Sequence, residues 1–444
     1  MSKNILVYFL LWISFQVLVD VNCQLTSFEP SGLFRHTATL IDNKLYILGG
    51  SLTSNNTLVK GFFYLDISVP FNTQELSWQD RSSTINKIPL HDGATSVKGG
   101  ANNDTLFLYG GFTNDPKMAL IYTFDPLHSV WNSQEIVGIN NTIRRQSLTG
   151  VIDYNGKFYL WGGTTSNDII VNEMLILNTI NLSWRILYTY NAPTARYHFG
   201  ATLLPNNKII YIGGDDDITS EFNNETLSTT GDAALSLEEI YIYDIIDDNW
   251  ESKPTTGKIP SNRAAFSTIL GLDSQRIIIY GGIFNGPGYY RDSSLYVLDL
   301  TNFNWYIPKI TGKIPKPRAF HKANVISRYM VITFGVGYDR KVESDILLLD
   351  ISNNEEYLWT TSFDPSVPKS PSPISPSFPT PPSSSQTSNN SSDNSKMVGA
   401  ITGSLLSGLF LSVGIFFLHK WNKNKQNQKH ITRTLLIPHS YSNC

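Results

Sequence analysis

The chain has 444 residues, of which 41% are hydrophobic and only 16% are charged. Its 34 lysines and arginines nearly balance 37 aspartates and glutamates, but the basic excess lies at the C-terminal end and leaves an acidic main body. An acidic body argues against nucleic-acid binding, which needs a basic surface. Two cysteines, Cys23 and Cys444, exclude a disulfide framework.

Residues 1–23 have the pattern of a cleaved secretory signal peptide. Lys3 precedes the apolar run 5–19, and the residues before Gln24 suit cleavage after Cys23. The other interpretation is a retained membrane anchor, but the run is short for a membrane span. The sequence therefore predicts entry into the secretory pathway.

Residues 24–363 contain a repeat with a period of roughly 55 residues. Each unit has an apolar run that ends in paired glycines, a second apolar run that ends in Asp or Asn, and then a tryptophan. The glycine pairs are Gly49-Gly50, Gly110-Gly111, Gly162-Gly163, Gly213-Gly214 and Gly281-Gly282, with a degenerate sixth run, Phe334-Gly335-Val336-Gly337. The acid or amide positions are Asp66, Asp125, Asn178, Asp244, Asp299 and Asp350. The tryptophans are Trp78, Trp131, Trp184, Trp250, Trp305 and Trp359.

Each part of the repeat has a physical reason. The apolar runs are short and rich in Ile, Leu, Val, Tyr and Phe, which is typical of strands. Paired glycines permit positive φ and close approach of a neighbouring backbone, and Asp or Asn bonds its own backbone in a tight turn. The tryptophan is expected to pack against the next sheet. A thin sheet cannot bury both faces alone, so the units are expected to be arranged radially.

These residues resemble the kelch motif over nearly the whole of 24–363. The resemblance implies an all-β fold, a kelch-type β-propeller whose blades are four-stranded antiparallel sheets. Six units imply six blades.

Four arginines occupy equivalent positions at the heads of their units, and two histidines follow closely after two of them. One interpretation is that the guanidinium groups converge on a channel mouth and bind an anionic ligand. The other is that each arginine packs between blades and bonds loop carbonyls. The residues concerned are Arg145, Arg196, Arg263, Arg318, His198 and His321.

The fourth unit carries a long acidic insertion over 215–239, which begins with Asp215, Asp216 and Asp217. Long insertions between repeats concentrate on a binding face. The acids are candidates for attracting a basic partner or holding calcium, but their spacing matches no recognised calcium loop. We therefore include these three aspartates among the candidate ligand-binding residues and predict no metal site.

Two enzymatic alternatives follow from the same resemblance. Galactose oxidase shares a kelch-like fold, but its copper chemistry requires a cysteine crosslinked to a tyrosine, and 24–443 contains no cysteine. Some kelch propellers are similar to sialic-acid mutarotases, which use arginines and a carboxylate at the channel. Nothing in the sequence marks a general base, so we predict no cofactor and no catalytic residue.

Beyond the repeats, 364–396 is rich in Pro, Ser and Thr and is expected to be a disordered stalk. Residues 397–418 carry no charge and are long enough for one transmembrane helix, whose small residues leave a weak helix-mediated dimer possible. The basic segment 419–444 is then expected to be a cytoplasmic tail. Glycosylation sequons lie at Asn55, Asn103, Asn140, Asn181, Asn224, Asn389 and Asn390.

The sequence thus predicts a single-pass membrane glycoprotein whose propeller lies outside the cell or in the secretory lumen. Its predicted function is recognition of a protein or carbohydrate ligand at the propeller face. The alternative is a sugar-active enzyme of the sialic-acid mutarotase type.

Overall fold

A computed structural model describes residues 28–366, except 53–56, 84, 86, 138–142, 188–190 and 287–294. The predicted signal peptide, transmembrane helix and tail, and nearly all of the predicted stalk, lie outside the described residues. The described part is all-β, as predicted, with a short 3-10 helix at Tyr338–Arg340. Within it, no helix has the length and apolar character needed to cross a membrane.

The described residues form six sheets, each built on four antiparallel strands that lie side by side in chain order. Sheet 1 contains Thr37–Ile41, Lys44–Leu48, Phe62–Asp66 and Gln79–Asp80. Sheet 2 contains Thr95–Gly99, Thr105–Tyr109, Ile121–Asp125 and Val130–Ser133. Sheet 3 contains Val151–Ile152, Lys157–Trp161, Met174–Asn178 and Ser183–Leu187. Sheet 4 contains Gly200–Leu204, Lys208–Ile212, Glu239–Asp244 and Asn249–Pro254. Sheet 5 contains Ser267–Leu270, Arg276–Tyr280, Leu295–Asp299 and Asn304–Tyr306. Sheet 6 contains Lys322–Ile326, Tyr329–Thr333, Ile346–Asp350 and Glu356–Thr360.

Short strands extend or connect these sheets. Thr256–Gly257 and Lys309–Gly312 each add a parallel strand to the outer edge of sheets 5 and 6, respectively. Just before the first strands of sheets 3, 5 and 6, two residues form a short antiparallel pairing with another segment of the chain. These pairings join Arg145–Gln146 with Thr164–Thr165, Arg263–Ala264 with Ile283–Asn285, and Arg318–Ala319 with Val336–Gly337. Further pairings join Phe222–Asn223 with Ser228–Thr229, Ser228–Thr229 with Ile283–Asn285, and Phe71–Asn72 with Ser362–Phe363.

The connection from the third to the fourth strand begins with the same hydrogen bond in all six sheets. A side-chain Oδ1 accepts a hydrogen bond from the backbone N–H two residues later, at distances of 2.8–3.0 Å. The acceptors are Asp66, Asp125, Asn178, Asp244, Asp299 and Asp350. The turn chemistry predicted from the sequence is therefore confirmed.

Five of the six tryptophans are buried on the fourth strands and Trp78 is buried just before its fourth strand, but the expected direction of packing was wrong. Each packs against the preceding sheet rather than the next one. The ring centroid of Trp250 lies 5.2 Å from that of Trp161 in sheet 3, and that of Trp131 lies 5.3 Å from Phe62 in sheet 1. Trp78 of sheet 1 stacks at 5.7 Å on Phe334, which follows the second strand of sheet 6. The same kind of contact thus joins the last sheet to the first.

A closed ring of backbone hydrogen bonds runs through all six sheets just before their first strands. Each N–H donates to the carbonyl of the equivalent residue in the preceding sheet at 2.8–3.0 Å, and the last bond runs from the N–H of Arg35 to the carbonyl of Phe320. All six residues have left-handed backbones, with φ between 52° and 62°. The ring residues are Arg35, Gly93, Ser147, His198, Ala265 and Phe320.

The paired glycines support this ring. In sheet 4, the N–H of Gly214 donates to the carbonyl of Arg263 in sheet 5 at 3.1 Å. A Cβ on Gly214, whose φ is +110°, would meet the carbonyl oxygen of Tyr197 at 2.9 Å. The second glycine of each pair therefore binds the next sheet while packing tightly against its own.

We predict that Gly214→Ala destabilises the full chain more than Gly231→Ala. Gly231 also has positive φ, but no atom lies within 4 Å of an added Cβ, so its substitution should cost only about 1–2 kcal/mol of backbone strain. Gly214→Ala adds a steric clash and should cost about 1–3 kcal/mol more. Urea unfolding followed by tryptophan fluorescence measures both, and equal destabilisation would contradict the proposed packing role.

Candidate functional site

The six ring residues define one face of the sheets, which we call the ring face. The four predicted arginines each precede a ring residue by two positions. Their side chains are buried, and the structure shows what each one contacts.

Three of these arginines donate to the carbonyl of the first residue of the glycine-pair segment in their own sheet. The acceptors are Gly213 for Arg196 at 3.1 Å, Gly281 for Arg263 at 3.3 Å, and Phe334 for Arg318 at 3.0 Å. Burial lowers the pKa of Arg196.

Further contacts of these guanidinium groups are also with groups of the protein. Arg145 donates to the carbonyl and the carboxylate of Glu173 at 2.9 and 2.8 Å. Arg263 lies 5.0 Å from the ring centroids of both Phe284 and Tyr296. None of the four arginines lines the two cavities on the ring face described below. Ligand binding by these side chains stays a prediction.

The predicted histidines do reach a cavity. A space of about 50 Å³, which we call the axial cavity, is lined by residues of all six sheets, including His198 and His321. Burial, followed by the charge of Arg318, lowers the pKa of His321 to about 3. Burial, followed by the charges of Arg35 and Lys322, lowers the pKa of His198 well below its usual value. Both imidazoles are therefore neutral at physiological pH.

The acidic insertion folds back over the ring face. Ser228–Thr229 runs parallel to Phe284 and Asn285, which follow the second strand of sheet 5. The ring of Phe222 lies edge-on to Phe320 at 5.1 Å. Further along the same hairpin, the carbonyl of Asn224 accepts the backbone N–H of Arg340 at 3.0 Å. The insertion thus reaches from sheet 4 across sheet 5 to sheet 6.

The three candidate aspartates of the insertion are in different surroundings. Asp216 and Asp217 are exposed, whereas Asp215 is buried. The Asp215 carboxylate accepts hydrogen bonds from the Asp217 N–H at 3.0 Å and the Ser220 hydroxyl at 3.3 Å. Burial raises the pKa of Asp215 to about 6. In the described residues, no three His, Cys, Asp or Glu side chains gather closely enough to hold a metal ion.

A larger cavity opens where the insertion meets sheets 1 and 6. This ring-face pocket has a volume of about 360 Å³ and is lined by Phe34, Phe222, Phe320, Arg35, Arg340, Asn224, Val336 and Val342. The guanidinium of Arg35 lies 4.8 Å from the Phe320 ring centroid. Arg340 forms an ion pair with Glu225, and both side chains are more than half exposed. The pocket therefore combines aromatic walls with two cations.

Comparison with known protein families agrees with the repeated all-β fold described above. The model of the KLHDC2/KLHL20/DRC7 Kelch-repeats domain matches residues 35–229 and 228–375. The chain belongs to this kelch family.

The relatives of this kelch chain differ in length and source. It is 24% identical over 341 residues to Kelch domain-containing protein 3 of Rattus norvegicus, covering 71% of this chain and 84% of that protein. It is 23% identical over 359 residues to Acyl-CoA-binding domain-containing protein 4 of Arabidopsis thaliana, covering 78% of this chain and 49% of that protein. The chain thus spans about half the length of that relative. The solved structure of YjhT aligns with a TM-score of 0.56 and 14% identity, over 75% of this chain and 98% of that chain, which supports the propeller fold alone.

Three predicted glycosylation sequons lie in described turns of the kelch domain. Asn103 and Asn181 are exposed in hairpins of sheets 2 and 3, and Asn224 is half-buried at the tip of the insertion hairpin. Glycosylation itself stays a prediction. The other four sequons, Asn55, Asn140, Asn389 and Asn390, lie outside the described residues.

Sequence reasoning missed Arg35, Lys322 and Arg340 as site residues. Arg35 stands two positions later than the other four arginines relative to its unit, which places it on the ring itself. This offset was visible in the sequence and distinguishes a cavity-lining arginine from a structural one. No feature of the sequence indicated Arg340 as a pocket residue, because its position in the pocket depends on how the insertion folds.

We predict that Arg263→Gln lowers the free energy of unfolding by about 2–4 kcal/mol, because buried carbonyls lose a charged donor. The matched control is Arg185→Gln, which removes an exposed ion pair with Asp248 and should cost less than about 1 kcal/mol. Denaturant unfolding compares the two. A folded, equally stable Arg263→Gln protein would contradict a structural role and favour ligand binding.

The raised pKa of Asp215 predicts a pH-dependent stability. Between pH 4 and pH 6 the folded protein holds this proton more tightly than the unfolded chain, so stability falls as the pH rises through that window. Asp215→Asn removes the titration. Its stability relative to wild type should therefore increase by up to about 3 kcal/mol from pH 4 to pH 7.

A control for this pH experiment is Asp217→Asn. Hydrogen bonds from Thr219 lower the pKa of Asp217 below its ordinary value, so this carboxylate titrates below the pH window and its substitution should leave the pH dependence of stability nearly unchanged between pH 4 and pH 7. Thermal unfolding from pH 4 to pH 7 measures both variants. A pH-independent difference between Asp215→Asn and wild type would show that Asp215 titrates normally.

Proposed function

We propose that this kelch protein is a recognition module that binds a partner protein at its ring face. The observation that carries the proposal is the ring-face pocket, where three phenylalanine rings and two arginines meet at the junction of sheets 1 and 6 with the insertion. Its volume of about 360 Å³ falls in the range of ordinary ligand pockets, roughly 300–1,000 Å³.

The composition of the pocket indicates the chemistry of the partner. Aromatic side chains and arginine are enriched where binding energy concentrates at protein interfaces. Arg340 is paired with Glu225 in an exposed position, so this ion pair is weak and readily exchanged. A partner segment that presents an apolar side chain beside an acidic group would fill the aromatic walls and pair with the guanidinium groups.

We further propose that the six sheets are the blades of one six-bladed propeller, since the hydrogen-bond ring and the tryptophan contacts both run from sheet 6 back to sheet 1. With the predicted signal peptide, stalk and single transmembrane helix, the propeller would stand outside the cell or in the secretory lumen. The basic tail would face the cytoplasm. A weak dimer through the transmembrane helix belongs to the same proposal.

Two other functions have less support. A carbohydrate ligand would suit a glycoprotein at the cell surface. Sugar-acid mutarotation requires a carboxylate at the reaction site, and among the described residues no Asp or Glu lines either the axial cavity or the ring-face pocket.

The test uses the full chain purified in detergent, with affinity capture from cell-surface extracts and quantitative mass spectrometry. Arg340→Glu reverses a charge in the pocket, and Lys253→Glu makes the same charge change on a partly exposed side chain of sheet 4, away from the ring face. We expect Arg340→Glu to reduce capture of the partner at least roughly tenfold, which corresponds to about 1.4 kcal/mol. Lys253→Glu should leave capture unchanged.

Capture that survives Arg340→Glu would show that the ring-face pocket is not the contact point. Binding on a glycan array without protein capture would identify a carbohydrate ligand instead. Faster optical rotation of freshly dissolved sialic acid on adding the protein would favour the enzyme.

A further inference from the structure

The axial cavity lies at the centre of the hydrogen-bond ring and is distinct from the ring-face pocket, although Arg35 and Phe320 border both. Its volume of about 50 Å³ is too small for a peptide or a sugar. It is large enough for a halide ion with one or two waters, since one water needs only roughly 10–15 Å³ of such space.

The charge of the cavity wall is one-sided. Arg35 and Lys322 line it, and no Asp or Glu among the described residues does so. Burial lowers the pKa of Lys322 to about 8, with no carboxylate close enough to oppose the shift. Both side chains are half-buried, so two cations share a partly desolvated space without a carboxylate in its wall, which raises the cost of their charges.

Polar atoms without partners surround the same space. Both ring nitrogens of His198 and Nε of Arg35 are buried and make no hydrogen bond to a described group. A neutral imidazole carries one N–H donor, and the guanidinium Nε is always a donor. Buried donors of this kind are normally satisfied in folded proteins, so the wall offers hydrogen bonds as well as positive charge.

We propose that the axial cavity binds one small inorganic anion of the size of chloride, held by Arg35 and Lys322 and by N–H donors of the wall. The proposal is independent of the proposed function at the ring-face pocket. It accounts for both the uncompensated charge and the unsatisfied donors with a single ligand.

The position of the two cations suggests what the anion does. Arg35 precedes the first strand of sheet 1, and Lys322 begins the first strand of sheet 6. These are the first and last sheets, which meet through non-covalent contacts such as the hydrogen bond from Arg35 N–H to the Phe320 carbonyl at 3.0 Å. An anion between the two side chains ties this junction together and so stabilises the closed ring.

The experiment follows thermal unfolding of the full chain while chloride replaces gluconate at constant ionic strength. We expect the melting temperature to rise with chloride and to saturate, as for a ligand that binds only the folded state. Lys322→Met should weaken the apparent chloride affinity at least tenfold. Lys322→Arg, which keeps the charge, should retain the response and serves if Lys322→Met does not fold.

The matched control is Lys309→Met, which removes a lysine paired with Glu356 on the surface and should leave the chloride response intact. Bromide-soaked crystals should show an anomalous peak between Arg35 and Lys322. Identical melting curves in chloride and gluconate, a full response in Lys322→Met, or a bromide peak only elsewhere would each overturn the proposal.

Discussion

The ring of backbone hydrogen bonds is the constraint on which the rest of the structure depends. Each of six residues must adopt a left-handed backbone so that its N–H faces one neighbouring sheet and its carbonyl faces the other. A four-stranded sheet of five-residue strands buries too little surface to be stable by itself. The ring holds six such sheets in register, and the tryptophans then fill the space between their flanks.

The ring also assigns roles to the residues beside it. Two positions earlier, Arg196, Arg263 and Arg318 do not line the axial cavity and instead donate to carbonyls of the glycine-pair segments. One position later, the side chain packs against the second glycine of its own sheet, as Phe199 does at Gly214. A side chain on the ring itself points toward the axial cavity, as that of Arg35 does. The same residue type is therefore structural or cavity-lining according to a shift of two positions.

The repeat could be predicted because its signals are local. An aspartate such as Asp66 bonds its own backbone two residues on, and strand length and composition need no tertiary information. The direction in which Trp250 packs could not be predicted, because it depends on the twist that relates neighbouring sheets. The path of the insertion could not be predicted either, because Phe222 packs against Phe320, which lies nearly a hundred residues away in the sequence. The segments before and after the described residues stay predictions.

The sixth unit shows that a residue that departs from the repeat pattern can stabilise the fold. Phe334 stands where the other units have the first glycine, and it keeps a left-handed backbone with φ of 53°. Such a conformation costs a non-glycine residue about 1–3 kcal/mol. The phenyl ring offsets this cost by filling the junction with sheet 1, where it stacks on Trp78 at 5.7 Å and meets Phe63 at 6.0 Å and His36 at 5.2 Å. Glycine would leave a cavity at the one junction between the first and last sheets, so the aromatic residue strengthens the place where the ring closes.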